Sequence, residues 1–309
     1  MSSTPRGDDR PVHPATTVAA PDVDAIEALV RRAIDARRHD LLTVVGNGEL
    51  TIALRWDGPD GPCVVKRVPP FPSAAAADDY IALVHRHIAD LEQRDVRCVA
   101  TDLYRLPRAD GSVVVYHCQP LLSTEHLADQ VLRRDEVSAE HPIVIAVVDR
   151  VARVVGDGVP LDAQFANWYW FEGEPWQLDL STPLYLDAAG NVCFDSTGFQ
   201  REYPALARRI VYKELMKVAG GFSKVDWVLT DMMTQLHRQG LERWCGAVTA
   251  AAADRLGVTI DPAEAKARFD ADVKFFPTLL KVKRFQRAWM QHTRRRYDTL
   301  LPATTSFGR

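Results

Sequence analysis

The chain has 309 residues, 47% of them hydrophobic and 26% charged, and 38 Lys and Arg against 41 Asp and Glu leave a formal net charge of −3. That composition describes a globular chain able to bury a sizeable core, as one large domain or two smaller units, and excludes low-complexity and fibrous classes. No run approaches the ~18 apolar residues of a membrane span, and the opening MSSTPRGDDRPVHP lacks the basic-then-apolar order of a secretion signal, so a cytoplasmic protein with no membrane association is expected.

In chain order, residues 1–20 are rich in Pro, Ser and Thr and too poor in apolar groups to order themselves, which predicts a disordered tail. Asp22 is placed to cap a helix over VDAIEALVRRAIDARR, whose apolar residues recur at helical spacing. The period then changes. LLTVVGNGELTIALRWD, GPCVVKRV, RCVATDLYRL and SVVVYHCQPLL are short β-branched or aromatic runs separated by turn signals, and they predict antiparallel strands. One amphipathic helix, AAAADDYIALVHRHIADLEQRD, interrupts them.

From HPIVIAVVDRVARVV onward the pattern is mostly helical, apart from LDAQFANWYWFEGEPWQLDLSTP and a second predicted hairpin through PLYLDAAGNVCFDS. The expected plan is α+β, with a small antiparallel-sheet lobe at residues 21–120 and a larger, mainly helical lobe at residues 121–309. The five cysteines are odd in number, widely spaced and mostly set in apolar runs. They read as free buried thiols, and no C-x-x-C pair supports zinc or a redox centre.

Three stretches carry candidate chemistry. In VVGNGELTIAL, Gly46 and Gly48 end a strand-like run, where glycines let backbone N–H groups approach a phosphate, although a plain hairpin turn uses the same residues. In CVVKRV, strand alternation puts Lys66 and Arg67 on opposite faces, so one of the two cations must point inward or lie along an edge. In the aromatic hairpin, Asp162, Asn167 and Asp179 stand at the two ends of a short excursion and can converge on one point. Magnesium takes oxygen ligands of this kind and keeps several waters, while Asp162 could accept a proton from a nearby hydroxyl. Taken singly, each of the three also serves as a turn cap, a loop partner or a strand end. Phe165, Trp168, Trp170 and Trp176 are expected to pack this hairpin against the helical lobe.

The order of these pieces resembles the protein-kinase-like superfamily, including the aminoglycoside and choline phosphotransferases, over about residues 40–200. The whole chain also looks like an uncharacterised group of actinobacterial kinase-like proteins. The resemblance implies a two-lobed kinase-like fold that binds ATP and Mg²⁺ and transfers a phosphoryl group to a hydroxyl of a small-molecule acceptor. Carried over residue by residue, Gly46 and Gly48 cover the nucleotide and Lys66 holds its phosphates. The backbone around Gln119 and Leu121 meets the adenine. Asp162 receives the acceptor's proton, and Asn167 and Asp179 hold the metal.

The chain departs from the family pattern at Pro160, two residues before Asp162, and at Leu180-Ser181-Thr182 after Asp179. Nor does the helix supply a well-placed glutamate for Lys66: Asp78 and Asp79 come early and Glu92 late. These departures keep a second reading open, a pseudokinase or nucleotide-binding regulatory protein without transfer activity. Near the C-terminus, KFFPTLLKVKRFQRAWMQHTRRRYD mixes cations with aromatics. Phe275, Leu279, Val282, Phe285 and Trp289 form a helical stripe there, which predicts a packed helix with a basic outer face rather than a nucleic-acid surface. Lys281 to Arg284 or Arg294 to Arg296 remain available to an anionic acceptor. His85, His87 and His237 have no spaced metal partner and read as surface or satisfied histidines.

Overall fold

The computed structural model describes residues 11–47, 51–201, 203–293 and 297–299. The first helix, α1 (Val23–Ala36), starts where the sequence places it, with the Asp22 carboxylate accepting from the Ala25 N–H at 2.9 Å. Three strands follow, β1 (Thr43–Asn47), β2 (Ile52–Gly58) and β3 (Gly61–Arg67), then the long helix α2 (Ala74–Glu92). After it come the two-residue strand β4 (Arg97–Cys98) and the longer strands β5 (Asp102–Pro107) and β6 (Val113–Pro120). Five of these strands make one antiparallel sheet in the order β1-β2-β3-β6-β5.

Every residue of β6 is buried because a helix covers each face of the sheet. Ile26, Val30 and Ile34 of α1 pack on Val65, Val114 and Tyr116, whereas Tyr80, Leu83 and Val84 of α2 belong to the core that includes Val113 and Val115. A two-sided burden of this kind explains why VVVYHCQP lacks the polar alternation of a half-exposed strand.

The rest of the chain is mainly helical. It begins with α3 (Ala128–Arg134) and α4 (Pro142–Gly156), and α4 buries Val144, Val147, Val148, Val151 and Val154. The hairpin β7 (Trp168–Phe171) and β8 (Glu174–Gln177) follows. It turns on Glu172 and Gly173, both at positive φ (50° and 78°), as a two-residue hairpin turn requires. The predicted second hairpin is reduced to a single bridge, Leu186 to Val192. Then come α5 (Thr197–Gln200), α6 (Ala205–Gly221), α7 (Val225–Arg238), α8 (Cys245–Leu256) and α9 (Pro262–His292). Among the described residues no helix is long and apolar enough to cross a membrane.

Four expectations change. The run RCVATDLYRL splits, and β4 leaves the main sheet to pair in parallel with β8 in a three-stranded sheet ordered β4-β8-β7. This pairing ties the segment after α2 to the hairpin. His13 and Pro14, expected within the disordered tail, lie along that small sheet: the Ala100 N–H donates to the Pro14 carbonyl at 2.9 Å, and His13 stands edge-on to Phe171 and Trp176. Backbone pairing and ring contacts supply what side-chain hydrophobicity does not.

Phe165 and Trp168 join the large core as expected, but Trp176 turns the other way, onto Val99 and Tyr169 and under the Arg97 guanidinium. The stripe on α9 is rotated as well. Phe275, Phe285 and Trp289 are more than half exposed, and Leu280, Lys283 and Gln286 point inward. The helix is pinned by Arg238 to Asp272 near its start and by Arg37 to Gln291 near its end. Those anchors set its rotation, and the Lys283 ammonium lies over the Tyr203 ring at 4.9 Å. All five cysteines are free; four are buried and Cys193 is exposed.

Candidate active site

Strand β3 delivers two cations to opposite faces of the sheet. Arg67 faces α1, where its Nε donates to Glu27 Oε2 at 2.7 Å and its Nη2 to Oε1 at 3.1 Å. Arg108 Nη2 and the Tyr116 hydroxyl also donate to Glu27, each at 2.6 Å, and Asp298 adds acceptors from the C-terminal segment. Burial works against the ionised form of Glu27, but Arg67, Tyr116 and Arg108 together hold its pKa down at about 2.

Lys66 faces the other way and meets Asp179, with Nζ 3.1 Å from Oδ1. Their side chains keep 12% and 24% exposure, so the pair can be reached from solvent. The two residues, far apart in sequence, are therefore brought together. Asp179 also accepts from the Ser181 N–H at 3.0 Å and the Ser181 hydroxyl at 2.7 Å, closing a tight turn after β8. Burial opposes its charge, yet Lys66 and those two donors lower its pKa to about 2.

Asp162 and Asn167 come close to Asp179 through one buried side chain. Gln177, at the end of β8, donates from Nε2 to the backbone carbonyls of both Asp162 and Asp179, each at 3.3 Å. The Leu178 N–H donates to the Asn167 carbonyl at 2.8 Å, and Asn167 Nδ2 reaches the Asp162 carbonyl at 3.4 Å. The Asp162 carboxylate receives Gln164, from Nε2 at 2.9 Å and the backbone N–H at 3.4 Å, and the Asn167 side chain also favours its charge. No Lys, Arg or His pairs with it among the described residues. Burial, and then the charge of Asp179, push its pKa up to about 6.

Asn167 and Asp179 offer two hard oxygen donors. Magnesium fits such a pair, because it retains waters and takes its remaining ligands from phosphate oxygens. Among the described residues no group of three or more His, Cys, Asp or Glu forms a complete metal cage. At Gln119 the side chain is already committed, donating to Thr101 Oγ1 and the Leu178 carbonyl at 2.8 Å each. Any ligand contact at Gln119 would therefore use its backbone, and Leu121 is the first residue past β6.

Gly46 sits at an irregular step of the β1–β2 pairing, where an added Cβ would lie 3.4 Å from that of Ala53, so neither space nor φ demands a glycine. Gly48 lies outside the described residues, as do Arg294 to Arg296.

Sequence reasoning missed the polar side chains that surround Lys66 and Asp179. His117 is paired with Lys66 across the β3–β6 ladder and is 2% exposed. Tyr80, from the middle of α2, lies with its hydroxyl 2.7 Å from the Ser181 carbonyl and 2.8 Å from His117 Nε2. The strand period that singled out Lys66, applied to its cross-strand partner, would have found His117. The candidate helix acids are engaged elsewhere or distant: Asp78 pairs with Arg105 at 2.6 Å, and Glu92 lines a separate cavity. His85 is exposed, His87 is packed edge-on against Tyr185, and His237 stacks on Phe269.

The separate cavity, of about 810 Å³, is lined by Glu92, Arg97, Arg150, Arg153, Glu174 and Trp176 among others. None of the expected site residues lines it, and its charges largely answer one another through Arg150–Glu174 and Arg153–Asp95. Asp162, beside the Lys66–Asp179 pair, instead has no cation partner among the described residues.

A two-region α+β protein with a cation–carboxylate pair at the junction of sheet and helices is the class that the fold and geometry define. Residues 25–282 match DUF6206, a family of unknown function, and the chain belongs to that family. No curated protein matches it significantly.

Proposed function

We propose that this protein is an ATP- and Mg²⁺-dependent phosphotransferase with a kinase-like two-lobed arrangement, acting on a hydroxyl or similar group of a small molecule. The observation that carries the reading is the meeting of Lys66 and Asp179 at 3.1 Å beside an Asp162 that has no cation of its own. Bound Mg²⁺·ATP would supply the transferable phosphoryl group, with Asn167 and Asp179 as protein ligands to the metal. Lys66 then places its charge on the phosphate oxygens, where transition-state charge grows. Asp162 would take the acceptor's hydroxyl proton as the acceptor oxygen bonds to the γ-phosphorus and the bond from that phosphorus to the oxygen leaving with ADP breaks.

A second reading, nucleotide binding without transfer, is favoured by one feature: α2 brings Tyr80, and no carboxylate, toward the Lys66–Asp179 pair. Thermal stability with ATP, with and without Mg²⁺, in wild type and Asp179→Ala tests both. A ligand that binds only the folded state raises the melting temperature. The phosphotransferase reading predicts a Mg²⁺-dependent rise that Asp179→Ala abolishes, together with phosphate release or a phosphorylated metabolite detected by mass spectrometry. A rise without release or transfer supports the second reading, and no rise at millimolar nucleotide overturns both.

A further inference from the structure

The environment of Lys66 contains a buried neutral relay. The Ser181 carbonyl can only accept, so the single Tyr80 hydroxyl proton goes to it at 2.7 Å. His117 Nε2, 2.8 Å from the same hydroxyl oxygen, must then carry a proton and donate it, and in the neutral imidazole that leaves Nδ1 without one. Ser181 in turn donates twice to Asp179 Oδ1, the atom that meets Lys66. A chain of contacts thus runs from β6 through α2 to the Asp179 turn and returns to β3, the strand beside β6. Tyr80 is fully buried and its ring packs against Phe71 and Phe194, so its hydroxyl has little freedom to choose other partners.

We propose that Tyr80 and His117 are positioning residues of the phosphotransfer site, a neutral hydroxyl–imidazole pair that holds the Asp179–Ser181 turn against α2 and β6 and leaves the Lys66 charge uncancelled by that helix. The assignment rests on the phosphotransferase reading. Its physical logic is one of charge. The neutral pair fixes the geometry of the turn and leaves Asp179 as the carboxylate facing the cation. With Asp179 holding a metal ion, the Lys66 charge would be available to a polyphosphate. Burial, and next the positive charge of Lys66, lower the pKa of His117 to about 3, so the imidazole stays neutral at physiological pH.

The test uses the full chain with Tyr80→Phe, His117→Phe and His117→Gln, the last keeping an N–H donor near the position of Nε2. Calorimetric titration should show Mg²⁺·ATP bound about tenfold more weakly by Tyr80→Phe and His117→Phe. Metal-free ADP should be bound within about twofold of wild type by both, and His117→Gln should recover most of the Mg²⁺·ATP affinity. A merely structural role would weaken both ligands alike and show no recovery.

Two readouts need no nucleotide. Nitrogen NMR should show His117 as a single Nε2–H tautomer, and the Ser181 amide should exchange with solvent about tenfold faster in Tyr80→Phe. Unchanged Mg²⁺·ATP affinity in both Phe variants overturns the proposal. If wild type binds no Mg²⁺·ATP, the phosphotransferase reading fails and with it the role at that site. The NMR and exchange measurements then decide the relay by itself, and an unchanged Ser181 exchange rate in Tyr80→Phe overturns that too.

Discussion

The two faces of β3 carry neighbouring cations in opposite circumstances. Arg67 is enclosed by α1, Arg108 and the C-terminal segment, and its partner Glu27 receives donors from three side chains. Lys66 has a carboxylate shared with a serine, stays open to solvent, and lies beside an aspartate that no cation compensates. A closed network of paired charges serves stability, because breaking it strands a buried charge. An open, partly satisfied one is where a ligand can improve the electrostatics, and for that reason it is the better candidate for chemistry.

That contrast is broken most forcefully on the Arg67 side. Glu27→Gln should cost about 3–5 kcal/mol of stability by leaving Arg67 and Arg108 without their shared carboxylate. The expected fall in melting temperature is on the order of 10 °C. Lys66→Met should change the melting temperature far less while removing the Mg²⁺·ATP-dependent rise. A large loss of stability in Lys66→Met with nucleotide binding retained would reverse the assignment of the two faces.

Acid separates the faces next. The pKa of Glu27 falls from an ordinary 4.5 to about 2 on folding, so its contribution is present above pH 4.5 and disappears as pH drops toward 2. Asp162 has the opposite sign. Its pKa rises from 3.8 to about 6, so folding is unhindered below pH 3.8 and penalised as pH climbs through 6. In metal-free protein, Asp162→Asn should match wild type near pH 3.8 and become the more stable of the two above pH 6, read by denaturant unfolding across that range. A difference that does not vary with pH would count against the uncompensated state of Asp162. In transfer assays the same variant should lose about 10²–10⁴-fold in rate.

The smallest effect is expected at Asp78, whose pairing with Arg105 is about half exposed on both sides. Asp78→Asn should shift stability by less than about 1 kcal/mol and leave the Mg²⁺·ATP response intact. Loss of that response would instead make Asp78 an acidic partner of Lys66 from α2.

Local pattern determined a good deal of this protein. Helical spacing after Asp22 located α1 and its cap, alternation and turn residues located β1 to β3, and the spacing of Asp162, Asn167 and Asp179 around an aromatic hairpin marked the residues that Gln177 and Leu178 draw together. Such features depend on neighbours within a few residues, where periodicity and turn chemistry act directly. Alternation also required that Lys66 and Arg67 part company, without saying which faced what.

Tertiary structure alone decided the rest. It gave Arg67 to Glu27 and Lys66 to Asp179, sent β4 to the hairpin rather than the main sheet, laid His13 and Pro14 along that small sheet and turned the aromatic stripe of α9 outward. Each outcome depends on contacts between segments far apart in the chain, where the stabilisation comes from the partner and leaves no periodic trace in either sequence. The Tyr80–His117–Ser181 relay is of this kind: a tyrosine in an amphipathic helix and a histidine in an apolar strand each look like core until the fold sets them beside Lys66.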